Sequence, residues 1–156
     1  MTIPPPSPRA RHAAVTLIDD WLSREAAENP AIAGVEPGGT DECRWIVRLR
    51  GDEKASFAVW FTLGQRTLRY ETYMSPSPAQ NREAVFEYLL ARNHKFYGAA
   101  FEIGEEDGIF LAGQLAIEAI TEADLDRALG SLYAYTEATF PAILRIGFGR
   151  PPRPAQ

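Results

Sequence analysis

The chain has 156 residues and a formal net charge of -5, and 46% of its residues are hydrophobic. This composition predicts one globular domain whose core needs no metal, and the single cysteine, Cys43, excludes an internal disulfide. The acidic balance disfavours nucleic-acid binding, and no apolar run approaches the roughly 20 residues of a membrane span or resembles a signal peptide. We therefore expect a cytoplasmic protein that binds neither nucleic acid nor membrane.

Prolines gather at both ends of the chain and predict extended, disordered tails at residues 1–7 and 149–156, with a single domain at 8–148 between them. Ser7-Pro8 is typical of a helix start, because serine caps the first turn and proline lacks an amide that this turn does not use. Apolar residues then recur at helical spacing: Ala14, Leu17, Ile18, Trp21 and Leu22. Asn29-Pro30 ends this helix, and a short extended piece is expected at 32–35.

Between residues 43 and 74 the hydrophobic period changes to two, which predicts three strands of an antiparallel meander. Alternate residues then share one face of the sheet, and the apolar set defines the core face. We assign to that face Trp45, Val47, Leu49, Phe57, Val59, Phe61, Leu68 and Tyr70.

Turn chemistry predicts the strand registers. Gly64-Gln65 suits a two-residue type II′ turn, because glycine tolerates positive φ, and this turn places Trp60 opposite Arg69. A three-residue loop at 51–53 places Val47 opposite Phe57. The two registers agree in which residues face the core.

The second half of the chain predicts a helix, a hairpin and a last helix. Ser77-Pro78 with Gln80 has capping-box spacing, followed by the stripe Val85, Phe86, Leu89 and Leu90. Strands at 99–103 and 109–112 flank an acidic loop. Thr121 caps the third helix, whose stripe Leu125, Leu129, Leu132, Thr136 and Phe140 is interrupted by Pro141. The order helix, three-strand meander, helix, β-hairpin, helix defines an α+β fold.

No established catalytic motif is present: we find no nucleophile elbow, phosphate-binding loop, dinucleotide fingerprint or zinc-protease motif. His12 and His94 lie on different predicted helices, and neither has a second ligand at metal-binding spacing. We expect no enzyme, no metal and no cofactor. The alternative, a small-molecule-binding or enzymatic domain, would use Cys43, His94 or the acidic hairpin residues Glu102, Glu105, Glu106 and Asp107.

The sheet face opposite the core carries large apolar residues where a solvated sheet would show polar ones. Ile46, Trp60 and Tyr73 lie there with Arg69, and these residue types are enriched in protein contacts. Three interpretations stay open: a helix covers this face, a protein binds it, or a small ligand does. On the third helix, Tyr133 and Tyr135 lie off the apolar stripe, so at least one is expected to be exposed and to join the partner-binding set.

The segment from residue 45 to 148 resembles the YbjN-domain family of bacteria, particularly its actinobacterial members. The motifs that carry the resemblance are Trp60-Phe61-Thr62-Leu63 with Arg66-Thr67-Leu68, Tyr88-Leu89-Leu90-Ala91-Arg92-Asn93, Tyr97-Gly98-Ala99-Ala100-Phe101, Leu111-Ala112-Gly113-Gln114, Leu125-Asp126 and Phe140-Pro141. The family resembles type III secretion chaperones in fold and has no established catalytic residues. The resemblance implies a domain that binds other proteins, often as a dimer.

We therefore predict a non-catalytic protein-binding domain, either a chaperone-like protein or a regulatory adaptor. Its partner is a protein whose identity one sequence does not give, and it can form a homodimer.

Overall fold

Three α-helices and six strands make up the part of the chain that the computed structural model describes, residues 4–37 and 43–150. The elements in chain order are α1 (Pro8–Glu28), β1 (Ile32–Pro37), β2 (Arg44–Arg50), β3 (Ser56–Leu63), β4 (Thr67–Ser75), α2 (Arg82–Asn93), β5 (Ala100–Ile103), β6 (Ile109–Ala116) and α3 (Glu122–Phe148). Short 3-10 turns lie at Glu105–Asp107 and Ile117–Ala119. The predicted tail residues 1–3 and 151–156 lie outside the described residues.

All six strands form one antiparallel sheet in the order β1-β2-β3-β4-β6-β5. The predicted α+β class and element order are confirmed. The short extended piece expected near residue 32 is a full edge strand, and the hairpin β5-β6 joins the meander through β6, which pairs with β4.

Two of the three predicted helix starts are confirmed. The Ser7 hydroxyl accepts a hydrogen bond from the Ala10 amide at 3.1 Å, and Thr121 forms a reciprocal capping box with Asp124. Pro141 does not interrupt α3, which continues to Phe148. Because Ala142, Ile143 and Gly147 beyond the proline are buried, packing offsets the backbone hydrogen bond that the helix loses at the proline.

The predicted start of α2 is wrong. The helix begins at Arg82 behind Asn81, whose φ is 50° and whose side chain makes no cap bond to it, so the capping box at 77–80 is not formed. The Gln80 amide instead donates to the Gly147 carbonyl at 3.0 Å. The segment before α2 is therefore used to dock against the end of α3.

Both predicted registers are wrong by two residues, in the same direction. Phe61 pairs with Tyr70, so the type II′ turn at Gly64-Gln65 is not formed, and Val47 pairs with Val59. Each turn lies one residue later than predicted, because the Gly64 amide donates to the Thr67 carbonyl and the Gly51 amide donates to the Ala55 carbonyl. Because the shift is even, every side chain keeps the face predicted for it.

The core lies between one face of the sheet and the helices. All eight residues predicted for the core face are buried: Trp45, Val47, Leu49, Phe57, Val59, Phe61, Leu68 and Tyr70. Trp21 of α1 packs edge-on against Phe61, with ring centroids 5.8 Å apart, and its indole N–H donates to Asp126 of α3 at 2.8 Å. One correction concerns α2, where Leu90 of the predicted apolar stripe is 66% exposed.

Candidate functional site

The sheet face opposite the helices forms an open concavity of about 510 Å³. Alternation along the strands brings its side chains together, because β2, β3, β4, β6 and β5 each contribute alternate residues. We call it the open face and define it by Arg44, Trp60, Arg69, Glu71, Tyr73, Glu102 and Phe110.

Aromatic rings occupy the middle of the open face. Tyr73 is 44% exposed and meets Phe110 edge-on, with ring centroids 5.3 Å apart. Trp60 is half-buried, and the Arg44 guanidinium carbon lies 4.7 Å from the centre of its ring. Within the described part of the chain, Arg44 Nε is a buried donor without a hydrogen-bond partner. The face therefore combines apolar surface with an arginine whose Nε has no partner inside the protein.

Arg69 links the strands at one side of this face. Its guanidinium forms ion pairs with Glu71 and with Glu102, which belong to β4 and β5. Burial opposes the charged form of Arg69, but the hydrogen bonds and charges of the two carboxylates outweigh it and raise the pKa of Arg69 above its usual range. The predicted pairing of Arg69 with Trp60 is wrong, since Trp60 lies opposite Glu71 and Arg44 covers its ring.

The structure brings together only half of the six residues predicted to bind a partner. Trp60, Arg69 and Tyr73 lie on the open face. Ile46 points to the same side of the sheet but is 7% exposed, so it offers little surface to a partner.

The two tyrosines predicted from α3 are both half-buried, so the expectation that at least one is exposed is wrong. Tyr133 packs against Phe57 with ring centroids 6.0 Å apart. Tyr135 stacks on Phe96 at 3.7 Å, and its hydroxyl accepts a hydrogen bond from the Tyr97 amide at 3.1 Å. Neighbouring aromatic rings cover both side chains, which a helical stripe counted along one element does not reveal.

The residues of the enzymatic alternative are distributed over different elements. Cys43 precedes β2, with Arg11 Nη2 3.3 Å from its sulfur, whereas His94 ends α2. Glu102 of the acidic hairpin is paired with Arg69. Over residues 4–37 and 43–150, no group of three or more His, Cys, Asp and Glu residues could hold a metal ion. Among those same residues, no helix has the length and apolar character to cross a bilayer.

An apolar cleft of about 490 Å³ adjoins the open face and shares Trp60 and Tyr73 with it. Lys54 lies in this cleft, where its ammonium donates to the Tyr73 and Met74 carbonyls at 2.5 and 3.1 Å. Burial lowers the pKa of Lys54 to about 8. Lys54 was not predicted as a site residue, because a lysine in a predicted hairpin loop is usually solvated.

Comparison with known proteins identifies a family. A family model named YbjN and described as a putative bacterial sensory transduction regulator matches residues 15–145. Uncharacterized proteins of Mycobacterium bovis and Mycobacterium tuberculosis are 34% identical over 112 residues, which cover 72% of this chain and 61% of theirs. An uncharacterized protein of Mycobacterium leprae is 25% identical over 135 residues, which cover 86% and 72%. The chain thus spans less than two thirds of the length of the first two relatives.

Solved structures with the same fold include chains of a chaperone–effector complex and of a complex from a type III secretion system. A chain in the ExsC–ExsE complex has a TM-score of 0.57 at 19% identity, covering 81% of this chain and 92% of that one. A chain in the HopA1–SchA chaperone–effector complex has a TM-score of 0.58 at 15% identity, covering 86% and 98%. The heterodimeric ExoU–SpcU complex of Pseudomonas aeruginosa gives 0.55 at 15% identity, covering 80% and 95%. This likeness shows that the fold is that of the secretion chaperones.

Proposed function

The chain belongs to the YbjN family, and on that premise we propose that it is a non-catalytic protein-binding domain, a chaperone-like protein or a regulatory adaptor. It holds a segment of another polypeptide on the open face. One observation carries the proposal: within the described residues, aromatic rings and an unsatisfied arginine donor share a sheet face opposite the helices.

Residue chemistry supports a polypeptide as the bound molecule. Tyrosine, tryptophan and arginine are the side chains that most often dominate binding energy in protein contacts. Tyr73, Trp60 and Phe110 offer rings to apolar side chains, while Arg44 adds a guanidinium group on the same face. At one side of these rings, Arg69 with Glu71 and Glu102 forms a cluster of charges that favours one alignment of the bound segment.

The shape of the site also favours a polypeptide over a small substrate. The open face and the Lys54 cleft share Trp60 and Tyr73, and both are open to the surface rather than enclosed. Small-molecule sites usually enclose most of their ligand. The solved chains with this fold are in complexes with proteins, which agrees with the proposal.

Site-specific photo-crosslinking in the native host tests this function. A photoreactive residue replaces Tyr73 on the open face or, as a matched control, exposed Ala27 of α1. We expect discrete protein adducts from position 73 and not from position 27. We also expect Trp60→Ala to reduce the yield of the adducts from position 73 severalfold, because it removes the neighbouring ring.

Circular dichroism of the Trp60→Ala variant provides the folding control. A native spectrum with lost adducts supports a contact role for the tryptophan. The proposal is contradicted if positions 73 and 27 give equal yields of adducts. It is also contradicted if the yield from position 73 does not change in a folded Trp60→Ala variant.

A further inference from the structure

The Lys54 cleft differs in charge from the rest of this acidic chain. The chain carries a net charge of -5. Lys54 and Arg150 line the cleft, whereas no aspartate or glutamate is among the described residues that line it. Its other walls are mainly apolar and aromatic, and include Phe57, Phe140 and Phe148. A cleft of this kind is complementary to an apolar molecule that carries a negative charge.

The ammonium of Lys54 has hydrogen-bond partners that carry no charge. It donates to the main-chain carbonyls of Tyr73 and Met74. Over the described residues, no ion pair includes Lys54. A buried charge is usually compensated by an opposite charge, and Lys54 is half-buried. Since an ammonium has three N–H groups, the two carbonyls leave one of them for a further acceptor.

Aromatic rings around this ammonium strengthen its attraction for an anion. The nitrogen lies 5.1 Å from the centre of the Phe140 ring, 5.7 Å from that of Tyr73 and 6.0 Å from that of Phe57. Rings at such distances attract a cation but do not neutralise its charge. They also exclude water, so a hydrogen bond between the ammonium and a carboxylate is stronger here than at an exposed surface.

The acidic side chain that contacts this loop is engaged by its backbone. The Glu137 carboxylate accepts hydrogen bonds from the main-chain amides of residues 52–54, so it is held at the backbone and not at the ammonium. Burial is the cause that lowers the pKa of Lys54 to about 8, as expected for an ammonium without a counter-charge. The titratable and charged groups on the elements around the ammonium are Asp52, Glu53, Tyr73, Tyr133, Glu137 and Arg150.

We propose that the polypeptide segment held on the open face continues into the Lys54 cleft and places an aspartate or glutamate side chain, flanked by apolar residues, on the Lys54 ammonium. This inference rests on the function proposed above, because the cleft shares Trp60 and Tyr73 with the open face. Both surfaces are open, so the segment can continue beyond its acidic residue. A side chain within the segment therefore fits the cleft better than a chain terminus does.

Titration with short peptides tests this site. The full chain carries ¹³C-methyl methionine, and the methyl signal of Met74, which lines the cleft, reports binding by NMR. The probes are acetyl-Trp-Glu-Leu-amide and its uncharged counterpart, acetyl-Trp-Gln-Leu-amide. At pH 7 we expect the glutamate peptide to bind about fivefold more tightly or better, because only its carboxylate pairs with the ammonium.

The two lysines of the chain provide matched variants. Lys54→Met should abolish the preference for the glutamate peptide, because the cleft then lacks the ammonium. Lys95→Met removes the other lysine, which is exposed and outside the cleft, and should retain the preference. Circular dichroism verifies that each variant is folded.

The pH dependence of the wild type tests the same contact without a substitution. The Lys54 ammonium loses its proton as the pH rises through about 8, whereas the carboxylate of the peptide stays ionised. The ratio of the two dissociation constants should therefore fall to near one by pH 9.5. If Lys54→Met does not fold, this pH series decides the outcome.

Three results would overturn the acidic contact: a glutamate peptide that binds no better than the glutamine peptide, a preference that persists in folded Lys54→Met, or a preference that persists at pH 9.5. Acetyl-Trp-Leu with a free α-carboxylate distinguishes the source of the charge. A preference confined to this third peptide overturns the choice of a side chain over a chain terminus. Failure of the proposed function is a separate result, because it is the absence of specific adducts from position 73.

Discussion

Lys54 lies in the loop between β2 and β3 and connects this loop to strand β4 by hydrogen bonds. Its nitrogen donates to the Tyr73 and Met74 carbonyls, where the pairing of β4 with β6 is irregular between Tyr73 and Ser75. The centre of the Phe140 ring lies 5.1 Å from the same nitrogen. Lys54 therefore ties its loop to the irregular part of β4.

The lowered pKa of Lys54 gives stability a defined pH dependence. Burial lowers this pKa from 10.5 to about 8, so between these two values the unfolded chain binds more protons than the folded one. The free energy of unfolding should therefore rise with pH across this window. Across this window the free energy of unfolding of the wild type should rise by about 1–2 kcal/mol relative to that of Lys54→Met. This value is reduced because Lys54 is partly exposed. Urea unfolding at several pH values measures the difference.

A variant that keeps a cation provides the control for this prediction. Lys54→Arg stays charged throughout the window, so its stability difference from Lys54→Met should not change with pH. Parallel curves for the wild type and Lys54→Met would contradict the lowered pKa.

At the scale of elements, the Asn93 side chain should protect the main-chain groups of Phe101 on the edge strand β5. Asn93→Ala removes two hydrogen bonds from Phe101 and should lower the free energy of unfolding by about 1–3 kcal/mol. Hydrogen exchange at the Phe101 amide should become faster, while amides between β4 and β6 keep their protection. Unchanged exchange at Phe101 would show that Asn93 does not protect the edge.

Local sequence patterns predicted the faces of the strands correctly but not their registers. The alternation around Trp60 and Phe61 depends only on the period of two, so it survives any even shift. Register depends on the position of the turn, and each turn lies one residue later than predicted, which shifts the paired strands by two residues. The Ser77-Gln80 spacing failed for a related reason: contacts with Gly147, which is distant in sequence, outweighed a local cap.

The candidate site was predictable to the extent that it follows from strand alternation. Trp60, Arg69 and Tyr73 share a face because of their positions along neighbouring strands. Phe110 was missed as a member, since its placement depends on the pairing of β6 with β4. The partial burial of Tyr135 was not predicted, because its stacking partner, Phe96, comes from a segment beyond α2 that no periodicity connects to α3.

At the scale of the whole molecule, Glu137 ties the central hairpin to the last helix. Its carboxylate accepts hydrogen bonds from the amides of Asp52, Glu53 and Lys54, at 2.6, 2.7 and 3.3 Å. These amides belong to the loop between β2 and β3, more than 80 residues earlier in the chain. A carboxylate held by several amides makes strong, charge-assisted bonds, so this contact fixes the loop beside the Lys54 cleft.

Gly51 makes room for this contact, because a Cβ there would lie 1.9 Å from Glu137 Oε1. Gly51→Ala should therefore displace the carboxylate, and Glu137→Ala alone should lower the free energy of unfolding by about 2–3 kcal/mol. In a double-mutant cycle the two losses should overlap by about 1 kcal/mol or more, since the second change removes a contact already broken. Gly130→Ala on the same helix is the control: nothing lies within 4 Å of its added Cβ, so its effect should add to that of Glu137→Ala. Additive losses for Gly51→Ala and Glu137→Ala, measured by urea unfolding, would show that the carboxylate does not hold this loop.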